Sequence, residues 1–389
     1  MYTATARTLL PTTITGSLPR PAWYTENLGR RSFREAMVDR VYREQYLDAA
    51  SSHIRDQEVA GLDIVTDGDC RFDADVGGHN WFSYAPIRME GFAGANPYKP
   101  ASGRAGFVQP RGHILHDILE GRVMPDLVGP VGRGTLQYTA VWKAAQRLTA
   151  RPLKFGTITP ELVAMAVRDF HYKDLRQAIL AISEALNAEL LELVDAGCDV
   201  VQLEEPQIHM LAAKGSAGQA LDNEFLVDVF NRTVKGLRGK AEVWCHTCWG
   251  NPGAQRIFNP LPSYAPAIPW LDRLDADVIT FEYCSTGGAD LEAIAAITGK
   301  KIALGVVDHH VLQVETPDEV AAQIRRALTH ISAERLVLSS DCGMGREGMS
   351  RRHAFHKMVS IVLGTNIVRR ELGLPEAACL AADARFSLL

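Results

Sequence analysis

The stretch Trp244-Cys245-His246-Thr247-Cys248-Trp249-Gly250-Asn251 places two cysteines and a histidine within four residues. Such a set fits a redox Cys-x-x-Cys, a metal site, or a strand that buries thiols. The residues before it, Ala241-Glu242-Val243-Trp244, have apolar, extended character, and Gly250 and Pro252 follow, so the motif is expected where a strand ends. Side chains alternate on a strand, so His246 and Cys248 share a face while Cys245 points the other way. A Cys-x-x-Cys pair needs both sulfurs on one side. His-x-Cys needs no special geometry to offer a nitrogen and a sulfur together, and it is favoured here as half of a metal site.

The elements that must position this pair recur along the chain. Strand-like apolar runs occur at 12–16, 62–67, 152–157, 199–204, 242–246, 277–282, 301–307 and 335–340. Amphipathic stretches lie among them at 33–60, 173–196, 222–237, 288–297, 316–331 and 350–371. Eight β/α alternations with near-continuous apolar strands mean a parallel sheet. The expected fold class is α/β, a closed (β/α)8 TIM barrel forming one domain over residues 1–389, with a doubly wound open sheet as runner-up.

In a barrel of this kind active sites gather at the carboxyl ends of the strands. Seven predicted strands end in polar residues: Gly16-Ser17, Asp67-Gly68-Asp69, Glu204-Glu205-Pro206, His246-Thr247-Cys248, Glu282-Tyr283-Cys284, Asp308-His309-His310 and Asp341-Cys342-Gly343. Singly, Asp67, Asp308 and Asp341 read equally well as helix N-caps. Together the seven point to a site. His246 and Cys248 supply two metal ligands, and Glu282 and Cys342 complete an N, S, O, S set suited to tetrahedral zinc, with Cys284 as the alternative fourth ligand. Cys198 and Cys245 read as small buried hydrophobes, Cys379 belongs to the C-terminal tail, and Cys70 is left open.

Composition sets the outer limits. With 46 acidic against 41 basic residues and 47% apolar content, the chain reads as a globular protein without a nucleic-acid patch. It shows no secretory leader and no apolar run near the ~20 residues of a membrane span, so the cytoplasm is the expected compartment. Seven irregularly spaced cysteines are not a disulfide framework. Residues 71–150 interrupt the alternation between the second and third strands. That insertion is rich in Gly78, Gly91, Gly94, Gly103 and Gly106 and in Trp81, Phe82, Tyr84, Phe92, Tyr98 and Phe107. Short antiparallel strands and a helix near Thr139–Ala150 are expected in it, serving to cover the barrel mouth or else to support packing or a homo-oligomeric contact. Gly129-Pro130-Val131-Gly132-Arg133-Gly134 lacks the Lys-Ser/Thr of a phosphate loop and reads as a turn.

The ordered segments TTITGSLPRP (12–21), VVQLEEP (200–206), CHTC (245–248), DVITFE (277–282), GVVDHH (305–310) and SSDCG (339–343) resemble the catalytic barrel of the cobalamin-independent methionine synthase family over nearly the whole chain. The resemblance implies a compact form without that family's second, N-terminal barrel. It implies a Zn2+ cofactor on His246, Cys248, Glu282 and Cys342. It also implies a homocysteine site at Thr15, Ser17, Asp69 and Glu204, and proton handling by His310 beside Asp308, with His309 unmatched.

Against the family's pattern the two substrate-binding acids are exchanged: Asp69 stands for a Glu and Glu204 for an Asp. Charge toward a substrate ammonium is conserved and reach is altered, so an amino-acid thiol is expected, with an epoxide-coenzyme M transferase-like zinc alkyltransferase as the alternative. Gly156-Thr157-Ile158-Thr159-Pro160 and the residues after it lack the family's Leu-Thr-Gly-Pro and its tryptophan. The methyl donor is therefore left open between a folate, a corrinoid protein and another methylated small molecule. A non-enzymatic zinc site is the third reading, disfavoured because the ligands come from distant segments.

Overall fold

Parallel strands with few polar residues need a second layer on each face, and the chain provides it by curling one sheet. The computed structural model describes residues 2–71, 80–97, 123–204, 206–214, 220–250, 262–345, 349–383 and 385. Nine strands are named here in chain order: β1 (Val65–Thr66), β2 (Glu90–Pro97), β3 (Val123–Gly132), β4 (Leu153–Ile158), β5 (Val200–Glu204), β6 (Glu242–His246), β7 (Val278–Phe281), β8 (Lys301–Gly305) and β9 (Leu336–Ser339). Seven form one parallel sheet in the order β1-β4-β5-β6-β7-β8-β9. That order never reverses, which removes the doubly wound alternative, since such a sheet turns back at a switch point.

Strand alternation splits the sheet into an inside and an outside. Ile64, Val200, Trp244, Val278, Ala303 and Val337 meet in one small buried cluster with Ala4. The residues between them in sequence, such as Val201, Val243, Cys245, Ile279, Ile302 and Leu336, join the large core beneath the helices. The two edges of the sheet approach the same segment. Thr13 N–H donates to Leu338 O at 2.9 Å and Leu338 N–H to Pro11 O at 2.9 Å, while Asp63 and Ile64 N–H donate to Thr12 O at 3.0 and 3.1 Å.

The predicted first strand, 12–16, is thus reduced to a single parallel bridge, Thr12 with Leu338. Its backbone donors are taken by side chains: Thr12 N–H goes to Asp63 Oδ2 at 2.8 Å and Thr15 N–H to Ser340 Oγ at 3.1 Å. A ladder cannot extend where its donors are diverted. The N-terminal residues close the opposite end of the strands, with Thr3 and Thr5 N–H both donating to the buried Glu242 carboxylate.

The predicted helices are present as Arg40–Ala60, Leu175–Asp195, Asn223–Thr233, Leu291–Ala295, Pro317–Leu328 and Arg351–Glu371. Their starts obey local rules: Asp39 accepts from Val41 and Tyr42 N–H, and Thr316 and Glu319 form a capping box before Pro317. Between β1 and β4 lie helix Asn80–Arg88, the antiparallel pair β2 and β3, and helix Tyr138–Gln146. The strands and helix expected from 71–150 are there. Residues 72–79 and 98–122, including Gly78, Tyr98, Gly103, Gly106 and Phe107, lie outside the described residues, as do the side chains of Trp81 and Phe82. Gly129 to Gly132 end β3, and Gly134 turns at φ +54, so this glycine run is a strand end and turn, with no phosphate loop. Among the described residues no helix is long and apolar enough to cross a membrane.

Candidate active site

The carboxyl end of β6 carries His246, and the chain continues through Thr247 to Cys248. As alternation requires, Trp244 faces the inner cluster and Cys245 the outer core. His246, Cys248 and Cys342 each offer a ligand atom within 4.8 Å of the others, and all three are buried. The Cys248 and Cys342 sulfurs are 3.4 Å apart. His246 Nδ1 lies 2.5 Å from the Thr280 hydroxyl, which assigns that nitrogen to hydrogen bonding and gives Nε2 the ligand role. A nitrogen and two sulfurs at this spacing, away from water, fit a zinc ion.

Glu282, the expected oxygen ligand, follows β7 and is held beside this group. Its Oε2 accepts from Trp249 N–H at 2.8 Å and its Oε1 from the Ser285 hydroxyl. At ligand spacing it groups with His309 and His310, so the structure brings three of the four expected ligands together and sets the fourth in the adjoining cluster. Burial raises its carboxyl above the usual range, with the Cys342 charge adding to the effect. Cys284, the alternative ligand, faces away: Gln323 Nε2–H donates to its sulfur at 3.5 Å, because the strand ends at Phe281 and alternation does not continue.

Among the described residues none of the three aspartates caps a following helix. Asp67 Oδ1 accepts from Asp69 N–H at 2.9 Å. Asp308 Oδ1 accepts from His310 N–H and contacts His310 Nδ1, both at 2.7 Å. Asp341 accepts from Tyr283, Cys284 and Ser285 N–H at 2.8, 2.9 and 2.7 Å, tying the Glu282 loop to the Cys342 loop. The opposite ring nitrogen of His310, Nε2, lies 4.0 Å from Glu282 Oε1.

A second group lies beside the sulfurs. A Cβ placed on Gly16 would stand 3.5 Å from Glu204 Oε1 and 3.7 Å from Asp69 Oδ2, so the two acids converge over the bare backbone of the first segment. One on Gly156 would stand 2.5 Å from the same Glu204 oxygen. At Gly156 only glycine leaves that room, while at Gly16 a Cβ would sit in ordinary contact with both acids. Burial pushes Asp69 up to about 6, with Asp67 adding to it, and Glu204 up to about 8, with Asp69 adding to it. Thr15 hydrogen-bonds Ser340 through both its N–H and its hydroxyl. Ser17 O accepts from Met344 N–H at 2.8 Å. All four expected substrate residues therefore border the loop that carries Cys342 or the acid pair.

The family model for the catalytic domain of cobalamin-independent synthases matches residues 101–363, more than half of the chain. The chain belongs to the cobalamin-independent methionine synthase family. It is 28% identical over 365 residues to a methionine synthase of Saccharolobus islandicus, covering 94% of this chain and 96% of that one. A methionine synthase of Sulfurisphaera tokodaii is 27% identical over 374 residues, with 94% of each chain covered. Among solved structures, a B12-independent methionine synthase from Shewanella sp. W3-18-1, in complex with selenomethionine, superposes with a TM-score of 0.75 at 26% identity, covering 94% of this chain and 99% of that one. A Listeria monocytogenes protein at 17% identity and a TM-score of 0.59 shares the fold.

For a member of this methionine synthase family, sequence reasoning left out four buried residues that contact the expected site residues. Arg71, 2% exposed, donates to Asp69 Oδ1 at 2.6 Å and lies against the Tyr84 and Phe155 rings at 5.0 and 4.9 Å. Asp69 thus presents its other oxygen toward Gly16. Tyr84 belongs to the 71–150 stretch, which here reaches the mouth. Lys154 and Gln202 lie under Glu204 inside the sheet, and His209 Nε2 contacts Cys248 O at 2.5 Å. The usable signal was a cation beside two acids in Asp67-Gly68-Asp69-Cys70-Arg71, and a lysine inside an apolar strand.

Proposed function

We propose that the protein is a zinc-dependent methyltransferase that moves a methyl group to the thiol of homocysteine, giving methionine. The reading includes one closed (β/α)8 barrel domain over residues 1–389 with residues 71–150 inserted between its second and third strands. The observation that carries the functional reading is the convergence of His246, Cys248 and Cys342 from two distant segments, in a chain whose relatives are methionine synthases.

His246, Cys248, Glu282 and Cys342 would hold the metal. When bound, zinc would lower the pKa of a substrate thiol from its usual value of about 8.5 and keep it nucleophilic. The protein's own groups do the rest. Asp69 and Glu204 form a buried acid pair that a substrate ammonium would neutralise, and Thr15 and Ser17 would orient the remainder of the amino acid. Asp308 orients His310 through Nδ1, which leaves Nε2 to hold or take a proton on the Glu282 side. A relative holding selenomethionine supports an amino-acid acceptor of this kind.

The test is an activity screen of the zinc-loaded protein with homocysteine, 3-mercaptopropionate and coenzyme M, each against a methylated folate, a methylated corrinoid protein and small methyl donors. Methionine formed from homocysteine with one of these donors is expected. Alkylation of coenzyme M by an epoxide, with homocysteine inert, would replace the reading by the coenzyme M alternative. Zinc bound with no thiol methylated would favour a structural site.

A further inference from the structure

Lys154, the second residue of β4, points inward and is 1% exposed. Its ammonium donates to Ile14 O and to Gln202 Oε1, both at 2.8 Å, and lies 4.5 Å from the centre of the Trp244 ring. Burial draws it down to about 7, against the charges of Glu204 and Asp69. No role assigned above uses it, and a buried cation is costly to keep unless it does something.

The amide of Gln202 shows what that is. Its Nε2 donates to Thr15 O at 2.9 Å and to Glu204 Oε1 at 2.8 Å. An ammonium has donors and no acceptor, so the amide oxygen must face Lys154. Turned over, the amide would set its NH2 against the ammonium and its oxygen against the carbonyl oxygen of Thr15, and both contacts would be repulsive. Lys154 therefore fixes Gln202, and Gln202 fixes one oxygen of Glu204 in the space that Gly16 and Gly156 leave open.

The geometry points to Lys154 as a positioning residue for acceptor specificity: acting through Gln202, it holds one carboxyl oxygen of Glu204 aimed at the ammonium of an amino-acid thiol. This rests on the ammonium reading proposed above. Lys154 touches neither the thiol nor the metal ligands, so its loss should change which thiol is preferred without changing metal content.

The experiment measures dissociation constants of homocysteine and 3-mercaptopropionate by calorimetry on zinc-loaded wild type, Lys154→Met, Gln202→Leu and the double variant. Wild type should prefer homocysteine roughly ten- to a hundred-fold. Each single variant, with full zinc and a native circular dichroism spectrum, should prefer it by less than about three-fold. The amine-free thiol should bind as in wild type, and the double variant should lose no more, because the two residues act in series. Full preference in either single variant would overturn the inference, and if Lys154→Met does not fold, Gln202→Leu alone decides it. Absence of preference in wild type would remove the ammonium reading itself and this inference with it, an outcome read without any variant.

Discussion

Cys248 and Cys342 are 94 residues apart in sequence and 3.4 Å apart at their sulfurs. That distance is far beyond the ~2.05 Å of a disulfide and near the span of two sulfurs sharing one tetrahedral zinc. As thiols the two share one S–H···S contact, and as thiolates they would need a cation between them, which is the arrangement the proposed metal site supplies.

Cys245, one residue before His246, packs in the outer core. Cys245→Ala should keep full zinc and near-wild-type methyl transfer, at a stability cost of about 1 kcal/mol from lost packing. Metal analysis and a denaturation midpoint check this; loss of zinc would restore the Cys-x-x-Cys reading.

Asp341 gathers three backbone N–H groups of the loop behind Glu282. Asparagine in its place offers one acceptor oxygen and turns an NH2 toward the remaining donors. Asp341→Asn should lower stability by about 2–3 kcal/mol and weaken zinc binding, although the residue is not a proposed ligand. Unchanged zinc affinity in a folded Asp341→Asn protein would show that the clamp does not position the site.

His310 contacts Asp308 through one nitrogen and approaches Glu282 with the other. His310→Ala should bind zinc and homocysteine normally while turnover falls roughly 10²–10⁴-fold. Asp308→Asn should fall less, because the imidazole remains and only its orientation is lost. A His310→Ala enzyme with unaltered turnover would remove the proton-handling role.

The raised carboxyls of Asp69 and Glu204 give a sign to the pH dependence. In the free protein burial holds Asp69 near about 6 and Glu204 near about 8, so an ammonium must displace protons to bind the ionised pair. Preference for homocysteine over 3-mercaptopropionate should therefore grow as pH rises from about 6 to about 8 and level off above. Using the ratio cancels the shared titration of thiol and metal site. Asp69→Asn should flatten the curve and leave zinc in place. A preference that shrinks over this interval would contradict the acid pair's role.

Much of this arrangement was legible before any coordinates. The β-branched runs marked seven of the eight expected strands, six of them within a residue or two at each end, and alternation separated Cys245, in the outer core, from His246 and Cys248, which gather with Cys342. What escaped depended on partners remote in sequence. The first strand read as regular because nothing local reveals that Asp63 takes the N–H of Thr12. Asp341 read as readily as a helix cap as a site residue, because its donors lie 56 to 58 residues upstream. Lys154 broke an apolar pattern visibly, yet its two acceptors lie 140 and 48 residues away. Cys284 failed as a ligand because alternation was extended past the last strand residue.

The most direct test of a thiol-activating metal site is optical. Cobalt(II) placed in the zinc site of the wild-type protein should show sulfur-to-metal charge-transfer absorption from Cys248 and Cys342, and addition of homocysteine should increase it by about one further thiolate per protein. Cys342→Ser should bind little metal and show no such increase. A wild-type spectrum indifferent to homocysteine, or a Cys342→Ser, Cys248→Ser protein that keeps its full metal, would contradict the account.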